Sequence, residues 1–340
     1  LMAACYLLTF HPFARPVVLD PATWDYMSLA LLDGRVPYLD IFLHKTPGAM
    51  FIGAAGAAVA GVLGLAPILG IHAAFIVLGA LGPALTFVLC RRHEVARLAA
   101  FGAAAWLLAI DQWSLAAIEG ARPKIATTTL GLASLLVAVR RPLLGGALSG
   151  AAILCWQPGV VFALGAIVEL YSDRVGAAER GKAIGRFCVG GTLPVCVLLV
   201  YLASSGALRP FVEQAFLFNL HYIDLHARTP VDTIHRLWLL SKQWNLVELV
   251  LLPLAVAGFL AARAIPPQGL AVATGAYAAL LFVSIQAWPD TILLAPGIAV
   301  ALAQGLSGLL GRGVRTTASA AVMTAIALMG LATPGSGRFF

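Results

Sequence analysis

Long apolar stretches recur along the whole chain of 340 residues and leave few fold classes open. A helix needs about 20 apolar residues to cross the hydrocarbon core of a bilayer, and several stretches approach that length. Charged residues make up only 11% of the chain, against about 25% in an average soluble domain, which excludes a soluble globular protein. The sequence predicts an all-α membrane protein with about 11 transmembrane helices in a single domain over residues 1–340. We expect the chain to begin inside its first helix, at 1–10, and further apolar stretches lie near 48–64, 67–90, 98–110, 125–139, 143–156, 159–171, 187–205, 245–262, 269–287, 291–309 and 317–333.

The basic residues of the loops predict how the chain is oriented in the membrane. The formal net charge is +7, but the 22 Lys and Arg residues are scattered among short loops, so nucleic-acid binding is not indicated. Lys and Arg in short loops concentrate on the cytoplasmic side. This rule places the loops 11–47, 111–124, 206–243 and 288–290 outside. It places inside the loops that carry Arg91, Arg92, Arg97, Arg140, Arg141, Arg174, Arg180, Lys182, Arg186, Arg263, Arg312 and Arg315.

The stretch at 48–64 does not fit this alternation as a full crossing. If it crossed the membrane, the loop that contains Arg91 would face outward. The stretch is rich in Gly and Ala and is followed by Pro67, which favours a re-entrant or interfacial helix on the outer face. The alternative is that 48–64 crosses normally and a weaker stretch, such as 143–156 or 159–171, does not.

Residues 20–47 form the most informative segment, with the sequence DPATWDYMSLALLDGRVPYLDIFLHKTP. Asp20 followed by Pro21 predicts a helix N-cap with proline at the first helical position, and Gly34 predicts the end of that helix. The segment Val36-Pro37-Tyr38 predicts an extended connection after it. Four carboxylates and at least two cations are therefore expected to crowd the outer membrane surface.

The order of elements in this segment resembles the first outer loop of the GT-C superfamily. These glycosyltransferases use polyprenyl-phosphate sugars and include protein O-mannosyltransferases and aminoarabinose transferase. The shared pattern is an Asp, a helix closing at Leu-Asp-Gly, then Pro-Tyr-x-Asp, then Lys-x-Pro before an apolar helix. Segments 145–159 and 290–296 resemble later parts of the family more weakly. Pro21 follows the first-loop aspartate where the family commonly has Glu, and Gln157 stands where it often has Lys.

The resemblance implies an architecture and an activity. The architecture is a GT-C-like bundle whose first outer loop, 11–66, carries two juxtamembrane helices at 20–33 and 48–64. The activity is transfer of a hexosyl or pentosyl group from a polyprenyl-phosphate donor to an extracytoplasmic glycan, lipid or protein. The implied location is a bacterial plasma membrane, with the active site on its extracytoplasmic face.

The resemblance also implies roles for individual residues. Asp20 matches the catalytic aspartate of the family, which makes it the general base of an inverting transfer. Lys45 matches the Lys-x-Pro element and is placed to pair with the lipid phosphate, and Arg122 and Lys124 are candidates to assist it. Arg122 and Lys124 would equally serve as snorkelling anchors for the span that begins at Ile125.

The residues expected to contact substrate rest on weaker grounds. Asp40 would hold Lys45 or Tyr38, bind an acceptor sugar, or cap a turn. Glu119 lies in the second outer loop, where a solvated carboxylate is the plainer interpretation. Aromatic and basic residues of the third outer loop, 206–243, favour acceptor recognition there. The substrate-binding candidates are Asp40, Tyr38, Glu119, His221 and Tyr222.

Metal sites and disulfides are not indicated. His221 and His226 are five residues apart, but no carboxylate or cysteine pattern completes a ligand set around them. No cofactor is assigned, and a divalent cation stays compatible with the implied chemistry. The five Cys residues lie in apolar stretches, where a thiol behaves as a small hydrophobic group.

Two other classes of function stay open on the sequence alone. A transporter or flippase of lipid-linked sugars would place ionisable residues near the bilayer midplane, whereas Glu169 and Glu248 lie near the ends of apolar stretches. A non-catalytic assembly subunit would keep the fold without the chemistry. The abrupt ends at Leu1 and Phe340 lead us to expect a missing N-terminal segment, and leave a missing C-terminal segment undecided.

Overall fold

The computed structural model describes residues 1–15, 19–173, 176–221, 231–232, 268–284 and 288–310. Within these ranges every regular element is helical, and the one β contact is an isolated bridge between Pro37 and Ile41. Short 3₁₀ turns lie at Gln157–Gly159 and Trp288–Leu294, and a π turn at Glu213–Leu217. The helices are α1 (Met2–Leu8), α2 (Leu19–Leu32), α3 (Gly48–Val62), α4 (Pro67–Arg92), α5 (Arg97–Ala109), α6 (Asp111–Ile118), α7 (Pro123–Ala138), α8 (Pro142–Cys155), α9 (Val160–Asp173), α10 (Ala177–Ser204), α11 (Leu208–Val212), α12 (Gln268–Ser284) and α13 (Ala295–Leu310).

Two of the described helices are long and apolar enough to cross a membrane. They are α4, with 26 residues, and α10, with 28 residues. The pair α5 and α6 makes a third candidate if it is one span bent by 62° at their junction. The described part of the chain is thus all-helical and belongs to a membrane protein, as predicted, whereas the expected number of about 11 crossings is not confirmed. The stretches predicted at 245–262 and 317–333 lie outside the described residues.

Helix α2 ends as the sequence predicts and begins slightly earlier. Gly34 has φ +80°, its N–H donates to Leu31 O at 3.1 Å, and the N–H of Arg35 donates to Ala30 O at 3.0 Å. This pair of bonds is a Schellman motif, which needs the left-handed backbone that glycine adopts without strain. At the other end the helix begins one residue before Asp20, so Asp20 lies in the first turn and not at the expected N-cap.

Helix α3 is short and packs closely against its neighbours. Its 15 residues extend about 22 Å, less than the roughly 30 Å of a hydrocarbon core. It contacts both α2 and α4. A Cβ atom on Gly70 of α4 would lie 2.0 Å from Gly56 O of α3, so only glycine allows this approach. That α3 lies at the membrane surface without crossing stays a prediction.

A cluster of buried aromatic and apolar side chains supports the first outer loop. It joins Trp24 of α2, Tyr38 of the loop, Met50 of α3, Phe75 of α4 and Phe211 of α11. Each of these side chains is at most 6% exposed. Because five separate segments contribute to one packed cluster, the loop that follows α2 is held in a fixed position over the bundle.

Candidate active site

The connection after α2 is a compact turn and not the extended segment that the sequence predicts. Tyr38 has φ +70°, and its N–H donates to Ile41 O at 2.9 Å. The Val36 N–H donates to the Asp40 carboxylate at 2.7 Å. The rule for residues before proline restrains Val36 only, so the chain is free to reverse at Tyr38. Of the roles considered for Asp40, the structure shows the turn cap, and its exposed side chain keeps acceptor binding as a prediction.

Tyr38 holds the backbone next to Lys45. Its hydroxyl donates to Lys45 O at 2.8 Å, and its ring packs edge-on against Phe211 with centroids 5.1 Å apart. Burial raises the pKa of Tyr38 well above its ordinary value, so the phenol stays protonated. Since the side chain is only 2% exposed, the role that the structure shows for Tyr38 is to hold the loop. The substrate contact assigned to it stays a prediction.

Two side-chain amides near the start of the third outer loop fasten the first outer loop, and the sequence analysis assigned neither. Gln214 donates to Tyr38 O at 2.8 Å and accepts from the Leu43 N–H at 3.0 Å. Asn219 donates to His44 O and, at 2.8 Å, to Ala215 O. The bonds to the first outer loop join residues more than 170 positions apart, and no local pattern indicates such a pairing.

Arg122 links two carboxylates. Its Nη1 donates to Asp20 Oδ2, and its Nη2 donates to Glu119 Oε2 at 2.6 Å. The side chain of Asp20 is 60% exposed, whereas those of Arg122 and Glu119 are 10% and 12% exposed. The mostly buried Glu119 therefore fixes Arg122 from the protein interior, and Arg122 in turn binds the exposed carboxylate of Asp20. The sequence predicts all three of these residues in the site, and the structure brings them together.

Lys45 lies beside this triad. Burial and the nearby Lys124 lower the pKa of Lys45, Asp20 and Asp290 act in the opposite direction, and Arg122 lowers it further. The Lys45 ammonium takes part in none of the ion pairs found among the described residues. It lies 5.7 Å from the centre of the Trp24 ring, which attracts a cation through its π face. Lys45 is thus a partly buried cation that lacks a carboxylate partner in the described part of the chain.

Lys124 makes the second cationic contact of the site. Its Nζ lies 2.5 Å from Asp290 Oδ1 and 5.0 Å from the centre of the Trp156 ring. Tyr277 supports this arrangement, because its hydroxyl donates to Asp290 O at 2.6 Å and its ring packs against Trp156. The sequence places Asp290 at the start of a motif but indicates no role for this residue. A carboxylate directly before an apolar stretch was the available signal.

His44 is a further neighbour that the sequence analysis left unassigned. Burial and then Lys45 lower the pKa of His44, while Asp20 acts to raise it. The imidazole is therefore neutral at pH 7 and lies within the electrostatic field of Asp20.

The remaining predicted residues contribute less. His221 is exposed at the end of a described segment, and Tyr222 lies outside the described residues. In the described part of the chain no group of three His, Cys, Asp or Glu side chains is arranged to hold a metal ion. The structure thus brings together Asp20, Lys45, Glu119, Arg122 and Lys124. It does not bring Asp40 into this group, and the predicted aromatic contacts of the third outer loop stay predictions.

An apolar cavity of about 360 Å³ begins two residues after Lys45. Its wall is almost entirely apolar and is formed by α3, α7, α8 and α10. It is lined by residues that include Pro47, Phe51, Leu130, Leu154, Val197 and Tyr201. The cavity is therefore suited to hydrocarbon, and its first lining residue, Pro47, follows Lys45 by two positions in the chain.

The site combines groups that can carry out group transfer next to a membrane. Three cations, Lys45, Arg122 and Lys124, balance the three carboxylates of Asp20, Glu119 and Asp290. An exposed carboxylate can accept a proton, and clustered cations can stabilise an anion that forms or leaves beside them.

The fold is similar to folds that are known from solved structures. ArnT from Cupriavidus metallidurans bound to undecaprenyl phosphate matches with a TM-score of 0.65 and 16% identity, over 96% of this chain and 62% of that chain. The same protein in the apo state matches with a TM-score of 0.58 and 17% identity, over 96% and 61%. The Archaeoglobus fulgidus oligosaccharyltransferase in complex with Zn and sulfate matches with a TM-score of 0.57 and 14% identity, over 97% and 51%.

These likenesses define the fold class. The chain shares the fold of these solved structures, in agreement with the fold that the sequence predicts. It spans about three fifths of the length of the ArnT structures and about half of the oligosaccharyltransferase. No family model matches the sequence, and no curated protein matches it.

Proposed function

We propose that this protein is a membrane glycosyltransferase that transfers a sugar from a polyprenyl-phosphate donor to an extracytoplasmic acceptor. The observation that carries the proposal is the exposed Asp20 carboxylate, held by Arg122 beside the cations Lys45 and Lys124 on a GT-C fold. The similarity to a structure bound to undecaprenyl phosphate supports a polyprenyl-linked donor. A bacterial plasma membrane, with the site on its outer face, is part of the same proposal.

Asp20 acts as the general base in this proposal. It removes the proton from the acceptor hydroxyl while the acceptor oxygen forms a bond to the anomeric carbon. The bond between that carbon and the phosphate oxygen breaks, its electron pair stays on the phosphate, and the configuration of the sugar inverts. The exposure of Asp20 supports this role, because an acceptor can reach the carboxylate.

The cations stabilise the phosphate. Lys45 is the primary phosphate ligand in this proposal, since it takes part in no ion pair among the described residues. Lys124 and Arg122 already carry carboxylate partners and supply further positive charge nearby. A bound anion would restore the charged form of Lys45 that burial disfavours.

The apolar cavity supplies a place for the first isoprene units of the donor. The first residue that lines the cavity is Pro47, which follows Lys45 by two positions in the chain. In this proposal, a lipid whose phosphate is held by Lys45 places its hydrocarbon chain in the cavity. Acceptor contacts are assigned to Asp40, His221 and Tyr222, and Glu119 is assigned the role of holding Arg122.

The experiment uses the full chain in lipid nanodiscs with a panel of polyprenyl-phosphate sugars and cell-envelope acceptors. Release of free polyprenyl phosphate is measured for the wild type, Asp20→Asn and Lys45→Ala, with and without a chelator to test for a divalent cation. The matched control is Asp33→Asn, which changes an exposed carboxylate directly after α2.

We expect Asp20→Asn to lower kcat by about 10²- to 10⁴-fold, Lys45→Ala to raise the KM for the donor, and Asp33→Asn to behave as wild type. Absence of release by a folded wild-type protein with every donor would favour the transporter or assembly-subunit alternatives. If Asp20→Asn releases polyprenyl phosphate at the wild-type rate, Asp20 is not the base.

A further inference from the structure

Residues Glu119–Arg122 connect α6 to α7 and are called the Glu119–Arg122 corner here. A buried Asp and His pair lies next to this corner, and the proposed reaction does not use the pair. Asp25 of α2 and His72 of α4 are 2% and 6% exposed. His72 Nε2 lies 3.2 Å from Asp25 Oδ2. Burying a carboxylate is costly unless hydrogen bonds satisfy it, so a carboxylate in this position calls for a specific role.

The second oxygen of Asp25 binds the backbone of the corner itself. Asp25 Oδ1 accepts the Ala121 N–H at 2.8 Å, and Ala121 directly precedes Arg122. Gly120 has φ +111°, and a Cβ atom there would lie 2.5 Å from Asp25 Oδ2. The chain between α6 and α7 is therefore folded directly onto this carboxylate.

Helix α2 thus holds the corner at two adjacent points. Asp20 contacts the side chain of Arg122, and Asp25 contacts the backbone N–H of Ala121. Five residues of helix rotate by about 500°, so the two carboxylates point some 140° apart. Asp20 is exposed at the site, whereas Asp25 points into the core. The Glu119–Arg122 corner contacts both carboxylates.

We propose that Asp25 and His72 form a positioning pair that fixes the Glu119–Arg122 corner and thereby sets where Arg122 meets Asp20. This inference rests on the proposed function, because Arg122 matters for transfer only if Asp20 and the phosphate react there. His72 holds the carboxylate in the orientation that accepts from Ala121. Loss of the pair would let the corner shift, and a misplacement of about 1 Å in a reacting site costs roughly 10²-fold in rate.

Two substitutions of Asp25 separate positioning from simple burial. Asp25→Asn keeps an oxygen for the Ala121 N–H and gains an N–H that donates to His72, so it preserves the geometry without the charge. Asp25→Ala removes both bonds. His72→Ala leaves the carboxylate in place without its orienting partner, and it tests the pair if Asp25→Ala does not fold. Asp33→Ala, at an exposed position directly after the same helix, is the control.

The experiment measures transfer kinetics and hydrogen–deuterium exchange on the full chain in nanodiscs. For Asp25→Ala we expect a kcat lower by about 10- to 100-fold, a donor KM within about threefold of wild type, and faster exchange in a peptide spanning 119–124. His72→Ala should give a smaller effect in the same direction. Asp25→Asn and Asp33→Ala should match wild type in both measurements.

The proposal is overturned if Asp25→Ala leaves both measurements unchanged, or if it lowers kcat while exchange at 119–124 stays at the wild-type level. It is also overturned if Asp25→Asn loses as much activity as Asp25→Ala. If the wild type transfers no sugar, the proposed function fails by itself, and the exchange data still decide whether the pair holds the corner.

Discussion

Lys124 Nζ lies 2.5 Å from Asp290 Oδ1, which joins two residues 166 positions apart in the chain. Lys124 opens helix α7, and Asp290 lies in the 3₁₀ turn before α13. Their side chains are 15% and 13% exposed, so the pair is mostly shielded from water. This contact ties a late segment of the chain to the site that the first and second outer loops form.

Removal of the Asp290 carboxylate is expected to weaken both the fold and the donor site. Asp290→Ala leaves the Lys124 ammonium partly buried without this carboxylate, which should cost about 1–3 kcal/mol of stability after allowance for its partial exposure. The bond from Tyr277 goes to the backbone of residue 290 and is kept. Thermal unfolding in nanodiscs measures the loss.

Asp290→Asn serves as the matched control, because its amide oxygen still accepts from Lys124 while the negative charge is lost. We expect it to recover most of the stability. Equal stability of Asp290→Ala and wild type would show that the pair contributes nothing to the fold.

The contact also shows what the sequence could and could not predict. Gly34 and Pro67 act on their own neighbours, so the end of α2 and the start of α4 follow from the local sequence. The Lys-x-Pro element and the aspartate at position 20 belong to one short segment, and in the structure Asp20 lies within electrostatic range of Lys45, while their roles stay predictions. The bonds from Asp290 and Gln214 depend on tertiary packing between distant segments, which leaves no periodic or local signal.

Tyr38 illustrates a second limit. Its left-handed backbone is imposed by the turn that Asp40 caps and by the burial of its ring, and not by its own conformational preference. A tyrosine after proline ordinarily continues in extended backbone, so the sequence predicted the wrong local structure at this position.

Donor binding is expected to weaken as the pH is raised. Burial and then Lys124 lower the pKa of Lys45 from its ordinary value of 10.5. The ammonium that pairs with phosphate is therefore lost at a lower pH than for an exposed lysine, and the affinity for the donor should fall as the pH rises through that lowered pKa. Equilibrium binding of the donor, a phosphodiester of constant charge in this range, measures the effect.

Lys45→Arg tests the assignment of this pH dependence. A guanidinium stays protonated above pH 12, so the alkaline fall in affinity should move to higher pH even if the affinity at neutral pH drops. Lys182→Arg, at an exposed position of α10, is the control. An unchanged alkaline fall in Lys45→Arg would assign the titration to another group.

The apolar cavity is expected to distinguish donors by the length of their lipid chain. Ala151 lines the cavity, and Ala151→Phe would fill part of its roughly 360 Å³. Each buried methylene contributes about 0.8 kcal/mol, so exclusion of a single isoprene unit should raise the KM for a long-chain donor by at least about tenfold. A short-chain donor that leaves the cavity empty should show little change. Ala203→Phe, at an exposed position of α10, adds the same side chain outside the cavity. If Ala151→Phe raises the KM for both donors equally, the substitution acts on the phosphate site, and the lipid chain lies elsewhere.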